Sequence, residues 1–254
     1  MIAVVVGGAG GIGGALVKLL QRNSKVSRVV ATWYTSPPAE RSDESQNEQT
    51  PVDWLPLDVT DESSVNVFAK QLLALKAGPS RQSDLHLGLV INTVGVLHNE
   101  SLQPEKSLRS FATRNLATAM ETNCLPTLLL AQSLGPMLKS DLPVVFAAVS
   151  ARVGSISDNH LGGWYSYRIS KAALNMALRT LAVEWGRTHK NVCVAALHPG
   201  TTATALSEPF QKNVPAEKLF STETTASYLL QVVESLDASK SGRFWAWDGS
   251  EIEW

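Results

Sequence analysis

Tyr167 and Lys171 lie four positions apart, in the run Tyr165-Ser166-Tyr167-Arg168-Ile169-Ser170-Lys171. On a helix that spacing stacks both side chains on one face, about one turn from each other. An ammonium beside a phenol favours the phenolate, so the spacing predicts a Tyr167 pKa displaced toward neutrality. A phenol tuned in that way passes a proton to or from a substrate oxygen near neutral pH. Taken alone, the pair reads better as a surface Tyr and Lys on an amphipathic helix. The chemical reading needs elements that bring a cofactor and a substrate to it.

A first such element opens the chain. Ile2 to Val6 is a continuous, mostly β-branched run, which suits a strand buried on both faces. Gly7-Gly8-Ala9-Gly10-Gly11-Ile12-Gly13-Gly14 follows, and then a helical pattern with Leu16, Leu19 and Leu20. Glycines between a strand and a helix let backbone approach a pyrophosphate and aim amide N–H groups at it. The spacing differs from the tighter G-x-G-x-x-G register, so a flexible turn is the plain alternative. Arg28 to Thr32 reads as the second strand. The segment after it, Trp33-Tyr34-Thr35-Ser36, lacks the carboxylate that would bond the ribose 2′-hydroxyl of NAD. That leaves room for the 2′-phosphate of NADP, with Arg41 in reach if its loop folds back. Pro37 to Pro51 is polar and aperiodic and reads as a surface loop.

Further strands end on candidate residues. Trp54 to Leu57 ends at Asp58-Val59-Thr60, and Thr60 or Asp61 can cap the helix that follows, stopped by Gly78-Pro79. His86 to Ile91 ends at Asn92-Thr93-Val94-Gly95, where an Asn can tie neighbouring backbone or face a cofactor. From about Ser107 to Lys139 the chain reads as helix with a break. Asn123 sits there in an apolar stretch and must be hydrogen-bonded or face a cavity, and Pro126 weakens the ladder beside it. Pro143 to Val149 is a fifth strand ending at Ser150. Val192 to Leu197 is a sixth, ending at His198-Pro199-Gly200-Thr201-Thr202-Ala203-Thr204. A last helix covers Ser221 to Leu236, and Arg243 to Ala246 is the final strand. The alternation predicts an α/β fold: a Rossmann-like, doubly wound parallel sheet of about seven strands with helices on both faces. The expected organisation is one domain over residues 1–254, with a small substrate-loop region around 205–220. Ligands in such sheets sit beyond the carboxyl ends of the strands, and these candidates cluster there.

Composition limits the partners. The 254 residues are 44% hydrophobic and 18% charged, with a formal net charge of −1. Such a balance fits a soluble globular protein and argues against nucleic acid. Two cysteines, Cys124 and Cys193, exclude a disulfide scaffold, and no Cys/His spacing suits a metal. No apolar run reaches the length of a membrane span and no signal peptide is evident, so a cytoplasmic protein is expected.

Tyr167-x-x-x-Lys171, the glycine turn, Asn92-x-x-Gly95, Asn123 and Ser150 together resemble the short-chain dehydrogenase/reductase family over nearly the whole length. The loop Ser150-Ala-Arg-Val-Gly-Ser-Ile-Ser157 and the run Gly162 to Tyr167 look most like its C-factor and sniffer-type carbonyl reductase branch. The resemblance implies an NAD(P)-dependent oxidoreductase acting on a small carbonyl or alcohol, with NADP the expected cofactor and NAD possible. It implies Tyr167 as general acid/base, Lys171 on the nicotinamide ribose and Asn123 fixing a proton-relay water. Gly7, Gly11, Ile12 and Gly13 would cradle the pyrophosphate. Asp58 and Val59 would meet the adenine, Asn92 and Gly95 would flank the adenosine and the sheet centre, and Pro199, Gly200, Thr202 and Thr204 would orient the nicotinamide. A homo-oligomer, dimer or tetramer, is also a family-level expectation. Ala151 stands where the family has the second of two serines, which bonds the substrate oxygen; Ser150, and after it Ser155, are the candidates to replace it. That departure and the C-factor likeness keep a second reading open, an NAD(P)-binding signalling or scaffold protein with little turnover.

His198 reads as a satisfied structural histidine, and Trp164 as a residue that shapes the pocket. Trp245, Trp247 and Trp254 read as packing against a neighbouring subunit, and Leu206 to Lys218 as a lid.

Overall fold

The computed structural model describes residues 1–37, 50–77 and 85–254. Arg41 and the rest of 38–49, like Gly78-Pro79, lie outside the described residues. In chain order the elements are β1 (Ile2–Val6), α1 (Gly11–Leu20), β2 (Arg28–Trp33), β3 (Val52–Pro56), α2 (Glu62–Ala77), β4 (Leu87–Asn92), α3 (Thr113–Asn123) and α4 (Leu125–Leu138). Then come β5 (Val144–Val149), α5 (Tyr165–Thr188), β6 (Val192–His198), β7 (Thr201–Thr202), β8 (Leu219–Phe220), α6 (Thr222–Glu234), β9 (Arg243–Ala246) and β10 (Glu251–Ile252).

Eight strands form one sheet in the order β10-β9-β6-β5-β4-β1-β2-β3. Seven of them run parallel, as the alternation predicts, and β10 adds an antiparallel edge. The two-residue strands β7 and β8 pair separately. Strands this short carry no readable period, which is why the sequence predicts none of the three extra ones.

Side chains alternate across the sheet and fill two cores. Ile2, Val4 and Val6 of β1 join Phe68 of α2, Leu130 of α4 and Leu174 of α5 on one face. Ala3 and Val5 join Leu16 of α1 and Leu229 of α6 on the other. The central strands β1, β4 and β5 are buried at every residue, so they read as unbroken apolar runs. Burying each large aliphatic side chain of these cores contributes about 1.5–3 kcal/mol relative to exposure.

The break expected near Asn123 falls at Cys124, whose φ of −114° and ψ of −59° separate α3 from α4. Pro126 occupies the first turn of α4, where its missing N–H costs nothing. Asp61 caps α2 by accepting the Ser63 N–H at 2.9 Å. The chain runs outward from β1 to β3 and then crosses back to β4 beside β1. Between β1 and β4 the connections diverge, and a crevice opens at the carboxyl ends of those two strands.

Candidate active site

At that crevice the glycine turn is built to exclude side chains. Gly7 has φ +81°, and a Cβ there would come within 2.8 Å of the Thr93 Oγ1. A Cβ on Gly13 would collide with the Gly7 carbonyl itself. Two threonines that the sequence reading did not single out brace the turn. Thr32 Oγ1 accepts the Gly7 N–H at 2.9 Å, and Thr93 Oγ1 donates to the Val6 carbonyl at 2.8 Å. Each directly ends or follows a strand, which is the only sequence signal they carry. Helix α1 has Gly10 as its N-cap, with no side-chain cap and no acidic residue in its first turn. Its first amides therefore keep their capacity for an anion.

In front of the turn lies a cavity of about 700 Å³. Gly7, Gly11, Ile12, Gly13, Asp58, Val59, Gly95 and Thr204 line it, as do Thr32 to Ser36 at the end of β2 and Leu206 of the expected lid. A volume of that size with a glycine floor fits a dinucleotide. Asp58 turns one carboxylate oxygen inward on its own loop, accepting from the Thr60 N–H at 2.9 Å and hydroxyl at 2.7 Å.

Six expected cofactor residues do not line the cavity, Tyr167 and Lys171 among them. Asn92 is buried, donates from Nδ2 to Thr127 Oγ1 at 3.0 Å and accepts the Val94 N–H at 3.0 Å. It ties β4 to α4, the backbone role that its place at a strand end allowed. Thr202 shares a 2.8 Å hydrogen bond with Thr225 Oγ1 inside the fold. Pro199 and Gly200 follow β6, and Gly200 has φ +73°, where a Cβ would meet the Phe220 ring at 2.7 Å. Its smallness serves that close aromatic packing.

Gly95 joins the cavity to the Tyr–Lys pair. A Cβ on Gly95 would lie 3.2 Å from both Lys171 Nζ and Asn123 Oδ1. Asn123 accepts the Val96 N–H at 2.7 Å and donates to the Val96 carbonyl and Ser170 Oγ, both at 2.9 Å. Ser170 in turn donates to the Tyr167 carbonyl at 2.8 Å. Asn123 thus locks the loop after β4 to the helix that bears Tyr167. Lys171 donates to the Val149 carbonyl at 3.0 Å, and its Nζ lies 5.9 Å from the Tyr167 ring centroid.

Electrostatics here corrects the expectation of an acidic phenol. Burial pushes the Tyr167 pKa up. Burial also pulls Lys171 down to about 8, against an opposing push from Cys124. Lys171 bonds a carbonyl rather than the phenol, so desolvation of each group outweighs their attraction.

Neither serine offers a free hydroxyl proton. Ser150 donates to Asn175 Oδ1 at 2.7 Å, and Ser155 donates to the Glu253 carbonyl at 2.6 Å. Ser155 is thereby part of the anchor for the C-terminal tail. His198 accepts the Arg152 N–H at 3.3 Å through Nδ1, and burial lowers its pKa to about 4.

An aromatic wall flanks Tyr167. Its ring is 6.2 Å from Trp164, which is 5.0 Å from Phe210, which is 5.7 Å from His98. Phe210 belongs to the 206–218 segment. The other tryptophans named in the sequence each make contacts within the chain. Trp254 stacks on Phe244 at 5.7 Å, Trp247 packs on Phe220 at 4.7 Å, and Trp245 carries Arg243 over its ring at 6.0 Å. Among the described residues no cluster of three His, Cys, Asp or Glu could hold a metal ion, and no helix is long and apolar enough to cross a membrane.

Sequence comparison places this geometry in a family. The profile of the short chain dehydrogenase family matches residues 1–215. The chain belongs to the short-chain dehydrogenase/reductase family. It is similar to the 1-hydroxy-2-glutathionyl-2-methyl-3-butene dehydrogenase of Rhodococcus sp. (strain AD45), 32% identical over 197 residues that cover 77% of this chain and 81% of that one. It is similar also to the C-signal of Myxococcus xanthus, 31% identical over 55% of this chain and 79% of that one. Among solved structures, the NADPH-bound carbonyl reductase from chicken fatty liver superposes with a TM-score of 0.81 at 27% identity, covering 100% of this chain and 98% of that one. The carbonyl reductase Sniffer of D. melanogaster shares the fold, with a TM-score of 0.78 at 21% identity and coverages of 100% and 98%. Short-chain dehydrogenases of this kind are NAD(P)-dependent oxidoreductases, and a nicotinamide dinucleotide is the cofactor that the cavity suits.

Proposed function

We propose that this chain is an NADP-preferring reductase of small-molecule carbonyl compounds, with Tyr167 as the proton donor. The observation that carries the reading is a buried phenol whose ring lies 5.9 Å from Lys171 Nζ, an ammonium that packs against Gly95 of the glycine-floored cavity. A phenol whose pKa burial raises keeps its proton at neutral pH. It is then a donor ready for reduction rather than a base ready for oxidation.

The cofactor, when bound, supplies the hydride. Gly11, Ile12 and Gly13 would hold its pyrophosphate with the amides at the start of α1. Gly7, whose own N–H goes to Thr32, would give it room. Asp58 and Val59 would border the adenosine end, and Gly95 would lie toward Lys171. Thr204 faces Gly11 across the mouth of the cavity, 3.0 Å from where a Cβ would stand. Beside Trp33, the side chains of Tyr34, Thr35 and Ser36 offer a 2′-phosphate hydroxyls and no carboxylate, which favours NADP. The related chicken protein was solved with NADPH.

Tyr167 donates its hydroxyl proton to the alkoxide oxygen as the carbonyl is reduced. Lys171, positively charged below about pH 8, steadies the negative charge left on the phenol. Asn123 holds the Val96 loop and α5 in register so that the phenol and the ammonium keep their places. Ser150 can assist only by turning its hydroxyl off Asn175, since Ala151 has none. Trp164 and Phe210 exclude water from the reacting oxygen. The test is NADPH oxidation, followed by its near-ultraviolet absorbance, across a panel of aldehydes and ketones. Turnover of at least one member is expected, with NADPH favoured over NADH. Tight NADPH binding with no turnover anywhere on the panel would overturn the reading.

A further inference from the structure

Helix α5 lacks its own N-terminal cap. Trp164 precedes its first residue in the left-handed region, at φ 52° and ψ 43°, and offers no side-chain hydrogen bond. It is the only non-glycine residue with positive φ among the described residues. The first turn of α5 also carries no acidic residue. Exposed donors at a helix start need partners when buried.

The partner comes from 61 positions upstream. Glu105, in the loop after β4, is 2% exposed. One of its carboxylate oxygens accepts the Ser166 N–H at 3.1 Å, and the other accepts the Ser166 hydroxyl in a short hydrogen bond. Its backbone carbonyl accepts the Trp164 N–H at 2.5 Å. Gly163, at φ +67°, takes the left-handed backbone conformation that favours glycine where the two segments meet. Burial pushes the Glu105 carboxyl pKa up, but the Ser166 hydroxyl and amides outweigh it and hold it below the usual value. An ionised carboxylate is the form that accepts from both Ser166 donors and sits well at a helix N-terminus.

We propose that Glu105 is a positioning residue for the reaction at Tyr167, resting on the reductase reading above. It clamps both sides of Ser166, next to Tyr167, and holds Trp164 in the conformation that sets its ring against the Tyr167 ring. Lys171, one turn further on, is held separately by the Val149 carbonyl. Loss of Glu105 therefore displaces the phenol relative to an ammonium that stays in place. Glu105 does not line the cofactor cavity, so cofactor affinity is left alone. This separates a positioning role from a purely structural one.

The experiment compares Glu105→Ala, Glu105→Gln and Ser166→Ala with the parent. The measurements are NADPH affinity, kcat on a carbonyl from the panel, and backbone hydrogen exchange. For Glu105→Ala, kcat falls on the order of 10²-fold, while the NADPH dissociation constant stays within about twofold. Exchange quickens by about tenfold at residues 165–168 and stays at parental rates in α1. Glu105→Gln recovers most of kcat and the slow exchange. Its amide oxygen accepts the Ser166 N–H, and its NH₂ donates to a hydroxyl that can turn to accept. If the Ala variant does not fold, Ser166→Ala shows the same split at smaller size. Parental kcat in Glu105→Ala, an equal rise of exchange in α1, or a Gln variant as poor as the Ala variant would each overturn the assignment. Should the parent reduce no carbonyl, the reductase reading fails by itself. Exchange at 165–168 then decides alone whether Glu105 holds the turn.

Discussion

Lys171 is 3% exposed and bonds a single carbonyl, that of Val149. Holding an ammonium there costs stability, and the cost has a pH signature. In the unfolded chain Lys171 titrates near 10.5, and in the folded chain near 8. Below pH 8 both states are protonated and the penalty is constant. Between pH 8 and 10 the unfolded chain still binds the proton while the folded chain releases it, so stability rises with pH across that window. Above pH 10 the raised pKa of Tyr167 acts the other way, which bounds the window. Lys171→Met removes the penalty. It is expected to exceed the parent in stability by on the order of 3 kcal/mol at pH 7, a gap that narrows steadily by pH 9.5. Urea unfolding at several pH values reads this directly, and a gap that stays constant across the window would contradict the burial argument. Tyr167 and Lys171 were legible in the sequence because a helix converts i and i+4 into neighbours and the surrounding motifs supplied a context, and Asn123 because a polar amide stood in an apolar stretch. Spacing did not reveal the sign of the Tyr167 shift. That sign depends on which carbonyl the ammonium finds and how much protein covers the phenol. Glu105 was illegible for a related reason: its contact spans 61 positions.

Helix α1 and its glycine turn form the element that decides cofactor binding. The order strand, glycines, helix is visible in the sequence, and the structure adds why particular glycines are required. Gly13 has no room for a Cβ because the Gly7 carbonyl occupies that space. Gly13→Ala must shift backbone that already carries the Thr32 and Thr93 braces. Overpacking of this kind costs about 1–3 kcal/mol, paid at the amides aimed into the cavity. NADPH affinity, followed by fluorescence titration, is expected to fall by about tenfold or more. Parental affinity would place the dinucleotide elsewhere. The boundaries of most elements were legible from buried runs and caps, as with Ser221, which accepts the Thr224 N–H at 3.1 Å at the start of α6. The loop between β5 and α5 was not. Ser155 sits there at a plausible distance in sequence from Tyr167, yet its hydroxyl is fixed by the C-terminal tail, a contact no local pattern encodes.

At the scale of the whole molecule, the parallel sheet brings residues from separate crossovers to one edge. The glycine turn after β1, the Gly95 loop after β4, Ser150 after β5 and Thr204 beyond β6 all emerge at the carboxyl ends of strands. Helix α5 then returns across them with Tyr167 in its first turn. The doubly wound plan was legible because buried strands and amphipathic helices alternate along the chain. The contacts of the C-terminal tryptophans within the chain were not, because no local pattern encodes which ring each of them meets. Here Trp254 stacks on Phe244 of one core, and Trp247 packs on the Phe220 ring. Everything proposed for function depends on the Tyr167 hydroxyl delivering a proton within that assembly. The most direct measurement is single-turnover oxidation of bound NADPH by a saturating carbonyl substrate, in the parent and in Tyr167→Phe. The substitution removes one oxygen atom and leaves the ring, its packing on Trp164 and the cofactor cavity intact. A rate lower by about 10²–10⁴-fold, at unchanged NADPH affinity, is expected. A Tyr167→Phe rate equal to the parent's would contradict the assignment of Tyr167 as proton donor.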